Sequence, residues 1–367
     1  MRILVVTTLL TDFAGAGGVE SVVREQARAL TAAGHSVVIV AATPGGAPAD
    51  MADLDVRALP MLVDVDPRMI IPRRLADSLR LAARDVDIAH IHLCRDFVTT
   101  RATSLLARLA IPQVIQAHGM LDSPSGLLSR IFDSAATKRS INRARLALTL
   151  WEPEEQALRR LGYRGRVLRT VNSVGDLPPR DAIAPQAPTV LFASRIDRRK
   201  QPTRFVEMAQ RVSALRPDVR FVMVGPSGDA SQDLSAAIRA LPPEIPLDYQ
   251  GAVRRDDVFD LLDRASVLVL PSVREPFPMV AVEAMARGVP VVLSHDCGLA
   301  ELAEQYQAAD VVSPTVEKLT EAVLAILSDG RLAASLSAAG LRLVRERLSP
   351  AALGADLTAA YQSALAS

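Results

Sequence analysis

The chain has 367 residues and a formal net charge of +1, with 49% hydrophobic and 23% charged residues. This length suits two domains, and the apolar content supplies a core for each. A net charge so near zero excludes an overall field that would recruit nucleic acid. Cys94 and Cys297 lie far apart without metal-ligand spacing, which favours a reduced cytoplasmic protein. No apolar run reaches the roughly 18 residues that a membrane span needs.

The N-terminal stretch predicts a strand, a glycine-rich loop and a helix. Met1–Leu10 resembles a signal peptide, but its apolar part is short and Asp12 follows at once, which favours a buried strand over Ile3–Thr8. Asp12–Gly18 is rich in glycine, and Val19–Ala33 has a helical pattern. Glycines let a ligand approach the backbone, and a helix start offers N–H groups to a phosphate. A dinucleotide-binding loop uses similar chemistry, but the third glycine of G-x-G-x-x-G is missing; a plain tight turn is the other alternative.

Histidines lie on or after two further predicted strands. His90 and His92 share one face of the strand Ile88–His92; such a pair can bind metal, but no third ligand is near in the sequence. His118 follows the strand Gln113–Ala117, at the edge where doubly wound sheets bind ligands. A neutral imidazole there can donate to a hydroxyl or a carbonyl group, and it titrates near physiological pH. The structural alternative is a histidine that caps a loop.

A proline-rich stretch divides the chain. Residues 177–188 predict a linker between an N-terminal domain, residues 1–176, and a second domain, residues 189–348, which a C-terminal helix follows over residues 349–367. Strand and helix patterns alternate in both halves. This alternation predicts an α/β fold of two doubly wound domains.

Two cations follow the first strand of the second domain. Arg195 and Lys200 come after Thr189–Ala193, in a loop and at a helix start. This placement predicts that both cations face one diphosphate. The alternative is a basic surface loop, because Arg198 and Arg199 are also present.

Two carboxylates bracket a predicted strand-to-helix turn. Glu275 follows the apolar strand Ala265–Pro271, and Glu283 lies about two turns into the helix that Gly288 closes. Such a turn places helix N–H groups and the positive dipole end at the rim of a parallel sheet, where anionic ligands bind. The alternative is an ordinary amphipathic helix with two solvated glutamates.

The spacing from Glu275 to Glu283, within EPFPMVAVEAMARGVPVV, resembles the E-x7-E motif of retaining nucleotide-sugar glycosyltransferases of the GT-B fold, family 4 in particular. Four more stretches resemble that family: GGVE followed by RALTAAGHSVVIV, HGMLD at His118, SRIDRRK at Arg195, and YQGAV at Val253. The resemblance covers nearly the whole chain. It implies two Rossmann-like domains that face a cleft, with a C-terminal helix that crosses back to the first domain.

The resemblance also implies roles for individual residues. It implies a nucleoside-diphosphate sugar as donor and no metal ion or other cofactor, with Glu283 on the ribose hydroxyls and Glu275 beside the transferred sugar. Pro276 and Pro278 depart from the family, because they lack the N–H groups that hold the sugar there. The implied catalytic residues are Glu275, His118, Arg195 and Lys200. The implied donor-binding residues are Gly17, Gly18, Gly225, Val253, Phe277, Met279, Val280, Ala281 and Glu283. The implied acceptor residues are Arg95, Asp96 and Asp122.

The implied reaction is transfer of the sugar, with retention, to a glycan, lipid-linked or small-molecule acceptor in bacterial polysaccharide or glycoconjugate synthesis. We expect a cytoplasmic protein that binds no nucleic acid. The mixed apolar and basic segment Met69–Arg74 leaves peripheral contact with the inner face of the membrane open. Three alternatives remain: a sugar-nucleotide epimerase or phosphorylase-like enzyme of the same fold, a non-catalytic sugar-nucleotide-binding partner, and a nicotinamide dehydrogenase.

Overall fold

The computed structural model describes residues 1–11, 18–61, 70, 72, 74–121, 136–175, 177 and 187–366. The chain divides into two compact units, Met1–Ser173 with Pro350–Ser367, and Val174–Ser349. Gly17, Asp122 and most of the proline-rich stretch lie outside the described residues, as does much of Met69–Arg74.

The first unit contains a seven-stranded parallel sheet with the order β3-β2-β1-β4-β5-β6-β7. The order reverses between β1 and β4, which are neighbours in the sheet. Its strands are β1 Arg2–Leu9, β2 Ser36–Thr43, β3 Asp55–Pro60, β4 Ile88–His92, β5 Gln113–Gln116, β6 Leu146–Thr149 and β7 Arg166–Arg169. Its first helices are α1 Gly18–Ala32, α2 Leu75–Ala82, α3 Phe97–Arg108, α4 Lys138–Ile141 and α5 Glu152–Arg160.

The second unit contains a six-stranded parallel sheet with the order β10-β9-β8-β11-β12-β13. Here the order reverses between β8 and β11. Its strands are β8 Thr189–Ala193, β9 Arg220–Val224, β10 Leu247–Tyr249, β11 Val267–Leu270, β12 Val291–Ser294 and β13 Asp310–Val312. Its helices are α6 Pro202–Leu215, α7 Ser231–Arg239, α8 Arg255–Arg264, α9 Met279–Ala286, α10 Ala300–Tyr306, α11 Val316–Ser328 and α12 Gly330–Arg347.

The central strands form because their apolar runs are buried on both faces of each sheet. Every residue of Ile88–His92 and of Val267–Leu270 is buried, as parallel strands covered by helices require. The predicted bounds of Ile88–His92 and Thr189–Ala193 match the structure. Helix α3 begins at Phe97, because Asp96 caps its N-terminus. The prediction of two doubly wound α/β domains is confirmed.

The last helix, α13 Pro350–Leu365, belongs to the first unit. It packs along α1, and Leu353, Leu357 and Tyr361 are buried in the core cluster that also contains Val23 and Leu30. The predicted return of the C-terminal helix to the first domain is therefore confirmed. Burial of these large apolar side chains is worth roughly 1.5–3 kcal/mol each, which ties the chain terminus to the first sheet.

Among the described residues, no single helix is long and apolar enough to cross a membrane. The helices Val316–Ser328 and Gly330–Arg347, which are bent by 101° at their junction, meet that requirement only when they are taken together.

Replacing Gly354 by Ala should weaken the packing of α13 on α1. A Cβ atom at Gly354 would lie 2.7 Å from the carbonyl oxygen of Ala29, which is shorter than side chains tolerate. We expect a loss of about 1–3 kcal/mol in the free energy of unfolding, measured by urea denaturation.

Gly330→Ala is the matched control, because no described atom lies within 4 Å of its Cβ position at the start of α12. Equal stability of the two variants would contradict the close approach of the two helices.

Candidate functional site

An ion pair joins two loops of the second unit. The ammonium group of Lys200 contacts the Oε2 atom of Glu275. Lys200 ends a 3-10 turn over Arg198–Lys200 that follows β8, and Glu275 follows β11. Because β8 and β11 are the neighbours at which the strand order reverses, their following loops flank the position where such sheets bind ligands. The contact therefore lies where an α/β site is expected.

The ion pair is largely shielded from solvent and has a second cation beside it. The Lys200 and Glu275 side chains are 14% and 6% exposed. The Nε atom of Arg199 lies 4.0 Å from the same carboxylate oxygen, and the N–H of Val273 donates to the Arg199 carbonyl at 2.8 Å. Arg199 was predicted only as part of a basic surface. No feature of the basic run itself distinguishes it from Arg198, which pairs with Asp233.

The backbone holds Glu275 against the loop after β12. Its N–H donates to the carbonyl of Asp296 at 3.1 Å, and its carbonyl accepts from the N–H of Gly298 at 2.9 Å. The residues next to the ion pair, Gln201 and Arg274, both have a φ of 51°. Left-handed backbone at a residue other than glycine is strained, and such strain clusters at functional sites.

The start of α9 offers fewer N–H groups than the sequence predicts. The N–H of Ala281 donates to the carbonyl of Pro278 at 3.0 Å, so the predicted role of Ala281 as a donor to an anion is corrected. Within the described part of the chain, the N–H groups of Phe277, Met279 and Val280 have no acceptor. These three remain available to a ligand at the positive end of the helix dipole.

Glu283 is paired with an arginine that the sequence analysis missed. It is the fifth residue of α9, so it lies just over one turn into the helix and not two. Its Oε1 atom accepts from Nη2 of Arg255 at 3.1 Å, and the two side chains are 13% and 54% exposed. The pair joins the first turn of α8 to α9.

Three further site residues are predicted in this unit: Arg195, Gly225 and Val253. Arg195 lies 3.6 Å from Asp197 in its own loop and is half exposed, and its contact with a diphosphate stays a prediction. Gly225 has a φ of 147°, and a Cβ atom there would lie 1.8 Å from the Ser194 carbonyl oxygen, so close packing of two loops already requires this glycine. Val253 is half-buried.

In the first unit, His118 follows β5 in a strained turn. His118 and Gly119 have φ angles of 52° and 74°. The Nε2 atom of His118 lies 2.7 Å from Nδ1 of His92, the last residue of β4. The two rings lie edge to edge and nearly coplanar, with centroids 5.0 Å apart and planes 5° from parallel. A third ligand-type side chain thus does lie beside the histidine pair of β4.

Two charged side chains hold this turn by its backbone. Glu154, which is wholly buried, accepts from the N–H groups of Gly119 at 2.8 Å and Leu150 at 2.7 Å. Arg95 donates to the carbonyls of Met120 at 2.7 Å and of Leu121 at 3.0 Å. Arg95 therefore supports the His118 turn, and its predicted contact with the acceptor stays a prediction.

Asp96 is also accounted for by the fold. Its carboxylate accepts from the N–H of Thr99 at 2.9 Å and from the Thr99 hydroxyl at 2.6 Å, and the residue is 1% exposed. Burial raises the pKa of Asp96, although these hydrogen bonds act in the opposite direction. This is the geometry of a helix N-cap, so the predicted role of Asp96 in acceptor binding is corrected.

Burial keeps the histidines neutral. It lowers the pKa of His118 and of His90 to about 3, and it lowers the pKa of His92 well below its usual range. The prediction that His118 titrates near physiological pH is therefore wrong: a neutral imidazole donates or accepts hydrogen bonds across the physiological range. Burial likewise raises the pKa of the Cys297 thiol to about 12, which leaves it protonated.

Gly18 begins α1, and no described atom lies within 4 Å of the position of a Cβ there. Packing of the described residues therefore gives no reason for this glycine. Across the ranges that the structure describes, no group of three or more His, Cys, Asp or Glu side chains is placed to hold a metal ion.

Two family models match the chain. The model described as Glycosyltransferase Family 4 matches residues 16–174, and the model described as Glycosyl transferases group 1 matches residues 176–342. The first match contains His118, and the second contains both Lys200 and Glu275.

Individual proteins and solved structures also match the chain. An uncharacterized glycosyltransferase from Methanocaldococcus jannaschii is 34% identical over 113 residues, which are 31% of this chain and 28% of that protein. Alpha-D-kanosaminyltransferase from Streptomyces kanamyceticus is 25% identical over 275 residues, which are 69% of this chain and 71% of that protein. The solved structure of HepE from Anabaena, in complex with UDP and glucose, matches with a TM-score of 0.73 at 17% identity over 99% of this chain and 100% of that chain. At this identity the structural likeness shows the fold alone.

Replacing His118 by Asn should weaken the pH dependence of stability. The pKa of His118 is lowered from 6.5 to about 3, so between these values the unfolded chain binds a proton that the folded chain does not. Stability therefore falls as the pH is lowered through this window. We expect the drop in unfolding free energy between about pH 7.5 and about pH 5.5, measured by urea denaturation, to be about 1 kcal/mol smaller in the variant. An equal drop in the two proteins would show that His118 does not resist protonation.

Proposed function

Because this chain belongs to the group 1 glycosyltransferases of the GT-B fold and is a glycosyltransferase, we propose the reaction that it catalyses. It transfers a sugar from a nucleoside-diphosphate sugar to a hydroxyl group of a glycan, glycolipid or natural-product acceptor. The anomeric configuration is retained, and no metal ion takes part. The observation that carries this proposal is the Lys200–Glu275 ion pair after β8 and β11.

The leaving diphosphate is stabilised by fixed positive charge. Cleavage of the sugar–phosphate bond places negative charge on the diphosphate, and preorganised donors lower the energy of that charge. An ammonium group has three N–H donors, so Lys200 can hold Glu275 and still donate to a phosphate. Arg199 adds a second cation, and the N–H groups of Met279 and Val280 add the helix dipole. This set replaces the charge that a metal ion would supply.

Glu275 acts on the transferred sugar. Its carboxylate is held by Lys200 and by the backbone of the loop after β12, so its position is fixed before the substrate binds. There it orients a sugar hydroxyl and stabilises the positive charge that develops at the anomeric carbon. The acceptor attacks from the side of the leaving phosphate, which takes the acceptor proton, so Glu275 forms no covalent intermediate.

Donor recognition rests on the pair of Glu283 and Arg255. Glu283 accepts from the ribose hydroxyls, and Arg255 holds that carboxylate at 3.1 Å. The backbone of Val253 contacts the base. That HepE binds UDP and glucose supports a nucleoside diphosphate as the common part of the donor, and the kanosaminyltransferase supports a small-molecule acceptor as one class to test.

His118 contributes from the first unit. As a neutral imidazole in a strained turn, it donates a hydrogen bond to the transferred sugar. We place the reaction in the cytoplasm, in bacterial polysaccharide or glycoconjugate synthesis, with the lipid-linked acceptors reached by peripheral contact with the membrane.

Lys200→Ala should weaken the binding of nucleoside diphosphates. We expect one class of diphosphate, from a panel of UDP, GDP and ADP with their sugars, to raise the melting temperature of the wild type in the presence of EDTA. Loss of the cation should weaken this binding by about tenfold or more, since charge-assisted hydrogen bonds contribute about 1.5–3 kcal/mol.

Lys318→Ala is the matched control, because Lys318 pairs with Glu321 on an exposed helix surface. If no diphosphate stabilises the wild type, or if Mg²⁺ is required, the metal-free donor site is wrong.

Glu275→Gln should lower kcat by at least about 100-fold, the scale of a lost electrostatic group in an active site, while diphosphate affinity changes little. Turnover is followed as release of the diphosphate from its sugar, and NMR of the product gives its anomeric configuration. Glu317→Gln is the control, since Glu317 pairs with Arg211 at an exposed position.

An inverted product would contradict the proposed stereochemistry. Epimerisation of the donor without any transfer would instead favour the epimerase alternative, and full activity of Glu275→Gln would exclude the carboxylate from the reaction.

A further inference from the structure

Three histidines and a tyrosine form a continuous row in the first unit. The Tyr361 hydroxyl lies 2.7 Å from Nδ1 of His90, and the His90 and His92 rings are stacked with centroids 4.5 Å apart. The His92 ring lies edge to edge with the His118 ring, nearly in the same plane, and is joined to it by the 2.7 Å contact between Nδ1 and Nε2. His90, His92 and Tyr361 are completely buried. The row therefore runs from the C-terminal helix to the residue that meets the sugar in the proposed function.

The contact between His92 and His118 requires a proton on one of its two nitrogens. Both rings are neutral, so each carries a single proton. If the His118 Nε2 atom carried the shared proton, the proton of His92 would lie on its Nε2 atom. That atom is buried, and it has no hydrogen-bond partner among the described residues. A buried N–H without an acceptor is rarer and costlier than a buried acceptor without a donor.

We infer that His92 is a positioning residue that donates from Nδ1 to Nε2 of His118 and so fixes His118 as the tautomer protonated on Nδ1. His118 then presents an N–H at the nitrogen that the histidine row leaves available. The tautomer follows from the contacts between two neutral rings, whereas its use as a donor to a sugar oxygen rests on the proposed function.

His90 and Tyr361 hold the ring of His92, the hydrogen-bond donor, in place. The His90 ring covers one face of His92, and Tyr361 anchors His90 through its hydroxyl. On the other side, Glu154 fixes the N–H of Gly119, next to His118. A tautomer that is chosen by a neighbour needs a fixed ring plane, because a hydrogen bond weakens steeply when its angle departs from linearity.

The direct test is ¹⁵N NMR of the histidine side chains in the complete protein without substrate. We expect His118 and His92 each to show a protonated Nδ1 and a bare Nε2, and the His118 signals are assigned by their loss in His118→Asn. A protonated Nε2 on His118, or averaged signals from two exchanging tautomers, would overturn the inference. Because no substrate is present, this result does not depend on the proposed function.

Variants then separate positioning from folding. His92→Leu removes the donor, so His118 should show averaged tautomer signals, and kcat should fall about tenfold, the scale of one neutral hydrogen bond, with little change in KM. His92→Asn places an amide N–H where Nδ1 stands and should restore the Nδ1-protonated signal and most of kcat. His35→Gln is the control, since His35 lies in the same unit and contacts Thr358 instead.

The possible results separate the tautomer of His118 from its role in the proposed reaction. If His92→Leu leaves both the His118 signals and kcat unchanged, His92 does not position His118. If the tautomer shifts as expected but donor turnover does not respond, the assignment of the tautomer stands and the role of His118 in the proposed reaction fails. If His92→Leu does not fold, the wild-type spectrum and His92→Asn still decide the question.

Discussion

The buried ion pair between Lys200 and Glu275 is the constraint on which the second unit depends. A carboxylate that is only 6% exposed is unstable without a cation, and removal of one partner of such a pair typically costs about 3–5 kcal/mol. The pair therefore locks the loop after β8 to the loop after β11. It also leaves N–H groups of Lys200 and the nearby Arg199 in the position where a phosphate would meet them. Stability and the proposed anion binding thus draw on the same charges.

The carboxyl ends of the strands carry charged groups in the second unit and neutral histidines in the first. The second unit gathers charged groups that are partly open to solvent, as Arg199 and Arg255 show. In the first unit, burial lowers the pKa of His90 and of His118 to about 3, so His118 is presented as a neutral hydrogen-bonding group. A glycosyl transfer needs both, because the leaving diphosphate requires positive charge, whereas the sugar hydroxyls require oriented neutral partners.

Backbone strain marks both sites. Six described residues other than glycine have a positive φ, and three of them are His118, Gln201 beside Lys200 and Arg274 beside Glu275. Such residues cost of order 1–3 kcal/mol each and persist only where their surroundings hold them. Here the surroundings are visible: Glu154 and Arg95 hold the His118 turn, and the loop after β12 holds the Glu275 turn. The side chains that we propose to act are therefore positioned before any ligand arrives.

The sequence by itself determined the elements and the fold, because apolar periodicity and glycine placement are local: Ile88–His92 and Thr189–Ala193 lie where the pattern predicts. It also proposed Glu275, Glu283, Lys200 and His118 as site residues, because their spacing resembles that of a known family. Only the tertiary structure decided which polar neighbours meet them, since strand order brings together loops that are distant in the chain. In this way Arg199 lies beside Glu275, Asp96 becomes a helix cap, and His92 becomes the partner of His118. Adjacent polar residues look alike in a sequence, and only the packing of the chain separates the one that faces the site from the one that faces water.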